Sequence, residues 1–378
     1  MRELRPDLSL SHGGNGVHAP APPLWQQALS QRTRDLAWCT LSPTLLASLP
    51  AAGDSGARLA RWPAGTQSAW EHWLGQADPA GLPATITELA NGIADALPEE
   101  SGRARSLRLG RHAERLLQFA LRHAQGLELL AANVPVRRAH GRGIQTLGEL
   151  DFVWRDQGSG EVVHWEMAAK FYLMVDAGDR QALGLRGFVG PNLVDRLGDK
   201  LDHIVHRQLP LARTAEARGL LGSAVDRSEV YLLGWLFYRD GLVPQGLDRL
   251  GIAGNHLHGW WSTLDDWFAR AGQAAGTRWC RLSRSGWLSG AMLEEGDTET
   301  ADSLREALAE RFADPHPDHG WRRESPIMLC EMEPAGTHAP GWWRERSRGF
   351  VVPNGWPERA LARAAAGATA TATNAGQP

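Results

Sequence analysis

Cysteine is scarce in this chain: Cys39, Cys280 and Cys330 are the only three in 378 residues. They form no CxxC pair, no zinc-ligand spacing and no even-numbered set. That excludes a disulfide-stapled scaffold and points to a reducing compartment. Tyrosine is as rare, with three residues against 17 tryptophans. Long hydrophobic runs are missing too. The longest, VYLLGWLFY (230–238), is too short to span a bilayer. The opening residues MRELRPDLSLSHGGNGVHAP contain no uninterrupted apolar stretch, so no secretory signal is expected. Excess positive charge is absent: the net charge is −3 and the pI near 6.5. This excludes a protein that coats nucleic acid through bulk charge. The expectation is a cytoplasmic protein with no membrane partner.

The apolar content of 43% supports a sizeable core, and the length allows two or three domains. Residues 1–22 are polar and carry Gly and Pro, which reads as a flexible N-terminus. From 23 to 100, helical pieces alternate with Pro- and Gly-bearing loops, so a mostly helical N-terminal region is expected. The segment 101–240 reads as the core: helix (106–124), strands (127–137, 147–155, 161–175), helix (192–212) and strand (229–238). That order predicts an α/β fold with a mixed sheet flanked by helices. Residues 241–360 read as a Trp-rich α+β extension. It opens with a long connection (241–261), then short strands near 277–283 and 287–293, a helix at 299–313 and a strand at 326–332. The low-complexity end, 361–378, reads as disordered. His256 and His258 in HLH, and the HPDH of 316–319, lack the spacing of a zinc site. The glycines of ALGLRGFVG (182–190) do not follow a nucleotide fingerprint.

Two stretches carry the most chemistry: GELDFVW (148–154) and VVHWEMAAKFYL (162–173). Both are rich in β-branched and aromatic residues and read as strands. RDQGSG (155–160) between them favours a hairpin turn. Alternation along a strand puts Glu149 and Asp151 on one face, and Glu166, Ala168 and Lys170 on one face. Carboxylates from two paired strands, with a lysine beside them, could hold a hard divalent cation and position a water. The plain alternative is polar residues on a solvated sheet face. Against it, Glu166 and Lys170 lie inside an apolar run, where an unpaired charge is costly.

Gly-Glu-x-Asp followed by a strand bearing Glu and Lys resembles the PD-(D/E)XK nuclease-like superfamily. HWEMAAKFYL resembles, more closely, a bacterial family of unknown function, DUF1853, that is grouped with it. The resemblance implies a core of helix, three-stranded meander, helix and strand. It also implies a Mg²⁺- or Mn²⁺-dependent hydrolase of phosphodiester bonds in DNA, with RNA a weaker candidate. In that scheme Asp151 and Glu166 bind the metal and Lys170 assists water attack. The usual lysine position, 168, is alanine here, and Lys170 lies about 6.6 Å further along the strand. Glu149 is a secondary acid. Glu114, beside the apolar stripe Leu109, Ala113, Leu116, Leu117, Ala120 and Leu121, resembles the helical glutamate that completes such sites. Its bland alternative is a surface pair with Arg111 or Arg122. Lys200 and Gln208 stand where the resemblance implies a helical Lys or Gln over the site.

Arginines gather near the first core helix, and VRRAHGRG (136–143) adds Arg137, Arg138 and Arg142 as candidate contacts to a nucleic-acid backbone. Two further readings stay open: a catalytically inactive nuclease-fold binding module, and a scaffold whose Trp-rich C-terminal region binds a protein partner.

Overall fold

A computed structural model describes residues 23–27, 30–49, 56–75, 109–141, 143–175, 183–271, 276–312, 325–336 and 339–366. The strands along the chain are β1 (Arg58–Leu59), β2 (Leu127–His140), β3 (Gly143–Asp156), β4 (Val162–Met174), β5 (Phe188–Val189) and β6 (Arg227–Arg239). They continue as β7 (His258–Thr263), β8 (Arg278–Leu282), β9 (Met292–Glu294), β10 (Glu299–Thr300), β11 (Ile327–Pro334) and β12 (Trp342–Val352). All join one mixed sheet in the order β10-β8-β11-β12-β7-β6-β4-β3-β2, with β1 on β6, β5 on β4 and β9 on β12. Helices flank it. The expected mixed α/β architecture is present.

The meander β2-β3-β4 is antiparallel, whereas β4, β6, β7 and β12 run parallel. Strands buried on both faces read as nearly continuous apolar runs, as β4 and β6 do. The predicted turn between β3 and β4 forms because the Asp156 carboxylate accepts from the backbone N–H of Gly158 (2.8 Å) and Ser159 (3.2 Å). On one face, Val163, Trp165, Met167, Phe171 and Leu173 pack with the Leu109–His123 helix. On the other, Ala168 and Tyr172 pack with Leu197, Leu201, Ile204 and Val205. At the middle of β6, Gly234 (φ 153°) lets the backbone approach β4; a Cβ there would lie 1.8 Å from the Lys170 carbonyl oxygen.

Several expectations need correction. The helix expected over 192–212 starts at Leu197, because Leu193 takes a left-handed φ of 60° and Arg196 is extended and bridged to Val189. It runs α to His203, widens to a π turn (Ile204–Gln208) and tightens to 3₁₀ (Leu209–Arg213). Pro210 has no N–H for the bond to residue 206, so a regular α-helix cannot pass through it. The connection expected over 241–261 ends in β7, wedged between β6 and β12. A His/Gly/Trp segment carries no clear alternation to announce a strand. Of the strand expected at 287–293, only Met292 and Leu293 are extended, as part of β9. Past residue 360 the chain is not a loose tail at once. The Trp356–Ala365 helix buries Trp356, Ala360 and Ala364 at a four-residue spacing, and alanine gives a weak apolar signal. Residues 1–22 and 367–378 lie outside the described residues.

Among the described residues ten tryptophans are buried and none is exposed. These ten fill the core, whereas Trp62, Trp260, Trp342 and Trp343 are half-buried.

Candidate active site at the fork between two strands

The ladder between β3 and β4 runs only from Arg155↔Val162 to Phe152↔Trp165. Beyond it the strands fork. At the fork the Asp151 side chain takes over from the missing backbone partner, its Oδ2 accepting from Met167 N–H at 2.9 Å. A buried N–H needs such an acceptor. Glu166 lies one residue earlier on β4 and is 1% exposed. The Asp151 and Glu166 carboxyls are close enough to share a hydrogen bond when one of them is protonated.

Two side chains hydrogen-bond the Glu166 carboxylate, one on each oxygen. His164 Nε2 meets Oε1 at 3.0 Å, and Gln208 Nε2 donates to Oε2 at 2.5 Å. Gln208 Oε1 in turn accepts from Lys200 Nζ at 3.1 Å. In an unbroken α-helix two residues eight apart are rotated by roughly 80°. The π turn between them winds fewer degrees per residue and takes up that difference. Lys170 faces the same way as Glu166, but its Nζ donates to Asp195 Oδ2 at 2.7 Å, which Tyr172 Oη also reaches at 3.2 Å. Lys200 lies within charge range of Lys170, Asp151 and Glu166. The chain has no lysines other than these two, against 38 arginines.

The electrostatics follow from burial. Desolvation, then the neighbouring Glu166 charge, pushes Asp151 up to about 7. Burial likewise pushes Glu166 up to about 7. Glu114 also rises to about 7, through burial first and Asp151 second. Burial and then the Lys170 charge lower the Lys200 amine. Burial holds His164 down to about 4, so its ring is neutral at pH 7 and Nε2–H is the donor to Glu166.

The sequence candidates are placed as follows. Asp151, Glu166, Lys200 and Gln208 meet at the fork. Glu114 is half-buried and within charge range of Asp151, Glu149 and Lys200. No ion pair within 4 Å joins it to Arg111 or Arg122 among the described residues. Glu149 is exposed at the rim. Lys170 is tied to Asp195, 25 residues on, rather than to the carboxylates. Arg137 is exposed on the outer part of the β2-β3 arm, Arg138 pairs with Glu216 at 2.6 Å, and Arg142 lies outside the described residues.

A family profile described as "Domain of unknown function (DUF1853)" matches residues 34–352, most of the chain. The chain belongs to the DUF1853 family. No curated protein and no solved structure matches it. The DUF1853 match spans the whole fork and the twelve-stranded sheet.

Among the described residues, no three His, Cys, Asp or Glu side chains converge on one point as a metal cage does. The donor set of this DUF1853 chain nevertheless suits Mg²⁺ at two carboxylates, since that ion takes few protein ligands and keeps several waters. His164 and Ser228 were not legible as site residues. They lie opposite each other in the β4–β6 register, both buried. His164 Nδ1 and Ser228 Oγ have no hydrogen-bond partner among the described residues. The only sequence signal was a polar residue inside each apolar run.

Proposed function

We propose that this chain is a metal-dependent phosphodiester hydrolase acting on nucleic acid, DNA before RNA. The observation that carries the reading is the pairing of Asp151 with Glu166 at the fork, within charge range of Lys200. The order of helix Leu109–His123, meander β2-β3-β4, helical segment 197–213 and parallel β6 supports a nuclease-like core. Asp151 and Glu166 would hold Mg²⁺ or Mn²⁺, with Glu114 reaching it directly or through water. The bound ion would supply Lewis acidity toward a phosphoryl oxygen and a water of lowered pKa.

The side chains do the rest. Gln208 and His164 fix the Glu166 carboxylate from both sides. Lys200, within charge range of both carboxylates, is suited to orient a water and to offset negative charge in the transition state. Lys170 stands next in line, released if Asp195 turns away. Its bond to Asp195 favours a second reading, a nuclease-fold module that binds without cleaving.

Titration of the full chain with Mn²⁺ at pH 6.5, by calorimetry in buffers of different ionisation heat, tests the metal site. Binding is expected to release protons, because carboxyls raised to about 7 must ionise to bind. Asp151→Asn and Glu166→Gln should each weaken it at least tenfold. Absence of binding, or binding indifferent to both changes, would remove the metal site.

A further inference from the structure

A cavity of about 530 Å³ opens at the sheet edge where β1 pairs with the start of β6, within the size range of small-molecule sites. The parallel register sets Arg58 opposite Glu229, so Arg58, Glu229 and Arg227 share a face. That face is opposite to the fork, because Glu166 pairs with Val230, the next residue. The cavity is therefore a separate site.

Its charge is not balanced. Glu229 is already satisfied, accepting from Trp165 Nε1 (2.8 Å), Arg227 Nε (2.8 Å) and the Arg61 backbone N–H (3.4 Å). The Arg58 and Arg61 guanidinium groups are exposed at the rim, with no carboxylate within 4 Å among the described residues. Two guanidinium forks at one mouth suit the bidentate geometry of a phosphate. Beside them lies Trp62, half-buried and held by edge-on contacts to Trp165 (5.1 Å, 86°) and Tyr231 (6.2 Å, 89°). Its Nε1 donates to Tyr231 Oη at 3.2 Å. A rigid indole loses little entropy when a flat ring stacks on it. Leu49, Leu59 and Pro63 complete an apolar wall.

From this geometry we infer that the cavity is a mononucleotide site, in which Arg58 and Arg61 take the phosphate and Trp62 takes the base. This goes beyond the proposed hydrolase and does not depend on it. Phosphate alone lacks the ring and a nucleoside alone lacks the anion, so each should bind at least tenfold more weakly than the two joined.

The test is calorimetric titration of the full chain with AMP, inorganic phosphate and adenosine, without divalent metal. AMP is expected to bind tightest. The surface double variant R58A/R61A should weaken AMP at least tenfold, whereas Asp151→Asn should leave it unchanged. AMP binding no tighter than phosphate or adenosine, or undiminished in R58A/R61A, overturns the inference. So does loss of AMP binding in Asp151→Asn, since the nucleotide would then occupy the fork.

Discussion

At the scale of single residues, the fork is a place where burial opposes charge. Asp151 and Glu166 sit at about 7 against ordinary values of 3.8 and 4.5. Between about pH 4 and 7 the folded chain therefore binds protons that the unfolded chain has released. The stability these carboxyls confer is present below about pH 4 and is lost as pH rises through 7. His164 works the other way. The unfolded ring takes up a proton below its ordinary 6.5 and the buried ring not until about 4, so its contribution is lost as pH falls through that window. Asp151→Asn keeps an acceptor for Met167 N–H and removes one charge. Chemical denaturation in the absence of metal should find it more stable than the parent at pH 8 by roughly 1 kcal/mol, allowing for water at the half-buried carboxylate. At pH 4.5 that difference should vanish. Marked destabilisation at pH 8 would mean that Asp151 serves as a structural ion pair.

Among the elements, the hairpin β3-β4 was readable because alternation and turn chemistry agree over 148–173. Asp151 and Glu166 followed from the two-residue period. Lys200 and Gln208 were named through the resemblance, but the chain of contacts from Lys200 through Gln208 to Glu166 was not legible. Lys200 and Gln208 stand on helical positions that a regular helix would rotate apart, and the π turn that joins them is a tertiary accommodation with no residue pattern of its own. Lys170 shows the reverse: its face was legible, but its partner Asp195 comes from a loop whose left-handed Leu193 no periodicity reveals. β7 was hidden because parallel pairing supplies its stability, not local propensity. The β4–β6 contact that aligns Lys170 depends on Gly234. Gly234→Ala would place a methyl on the Lys170 carbonyl at a φ that alanine avoids. A loss above about 3 kcal/mol in urea denaturation is expected, well beyond an ordinary surface change. A loss under 1 kcal/mol would show that the strands can separate freely there.

Across the whole molecule, the sheet does not break at residue 240. β6 and β7 pair across that point, and β12 continues the parallel run. A buried polar cluster reinforces the continuity. Arg348, 1% exposed, donates to Glu345 (2.6 Å) and to the Trp287 and Ser289 carbonyls (2.5 Å each). Ser289 Oγ donates to Asp35 Oδ1 at 2.5 Å, and Arg34 Nε donates to the Gly290 carbonyl at 2.8 Å. The Gln31–Leu41 helix is thereby tied to the C-terminal strands. Arg348→Met would leave Glu345 without its cation, at an expected cost of about 3–5 kcal/mol. Thermal unfolding should then drop by several degrees while remaining a single transition. Two separated transitions would mean that the halves fold independently.

Cleavage at the fork separates a hydrolase from an inert module. The deciding measurement is a gel assay of purified protein with Mg²⁺ or Mn²⁺ on single-stranded, duplex and branched DNA and on RNA, run for the parent, Asp151→Ala, Lys200→Ala and Lys170→Ala. The parent is expected to cleave a DNA substrate and Asp151→Ala to cleave none. Turnover should fall about a hundredfold or more in Lys200→Ala with substrate binding little changed, as for a group acting on transition-state charge, and less in Lys170→Ala. A parent that binds one of these substrates but cleaves none with either metal would contradict the proposed hydrolase, as would cleavage that persists unchanged in Asp151→Ala and Lys200→Ala.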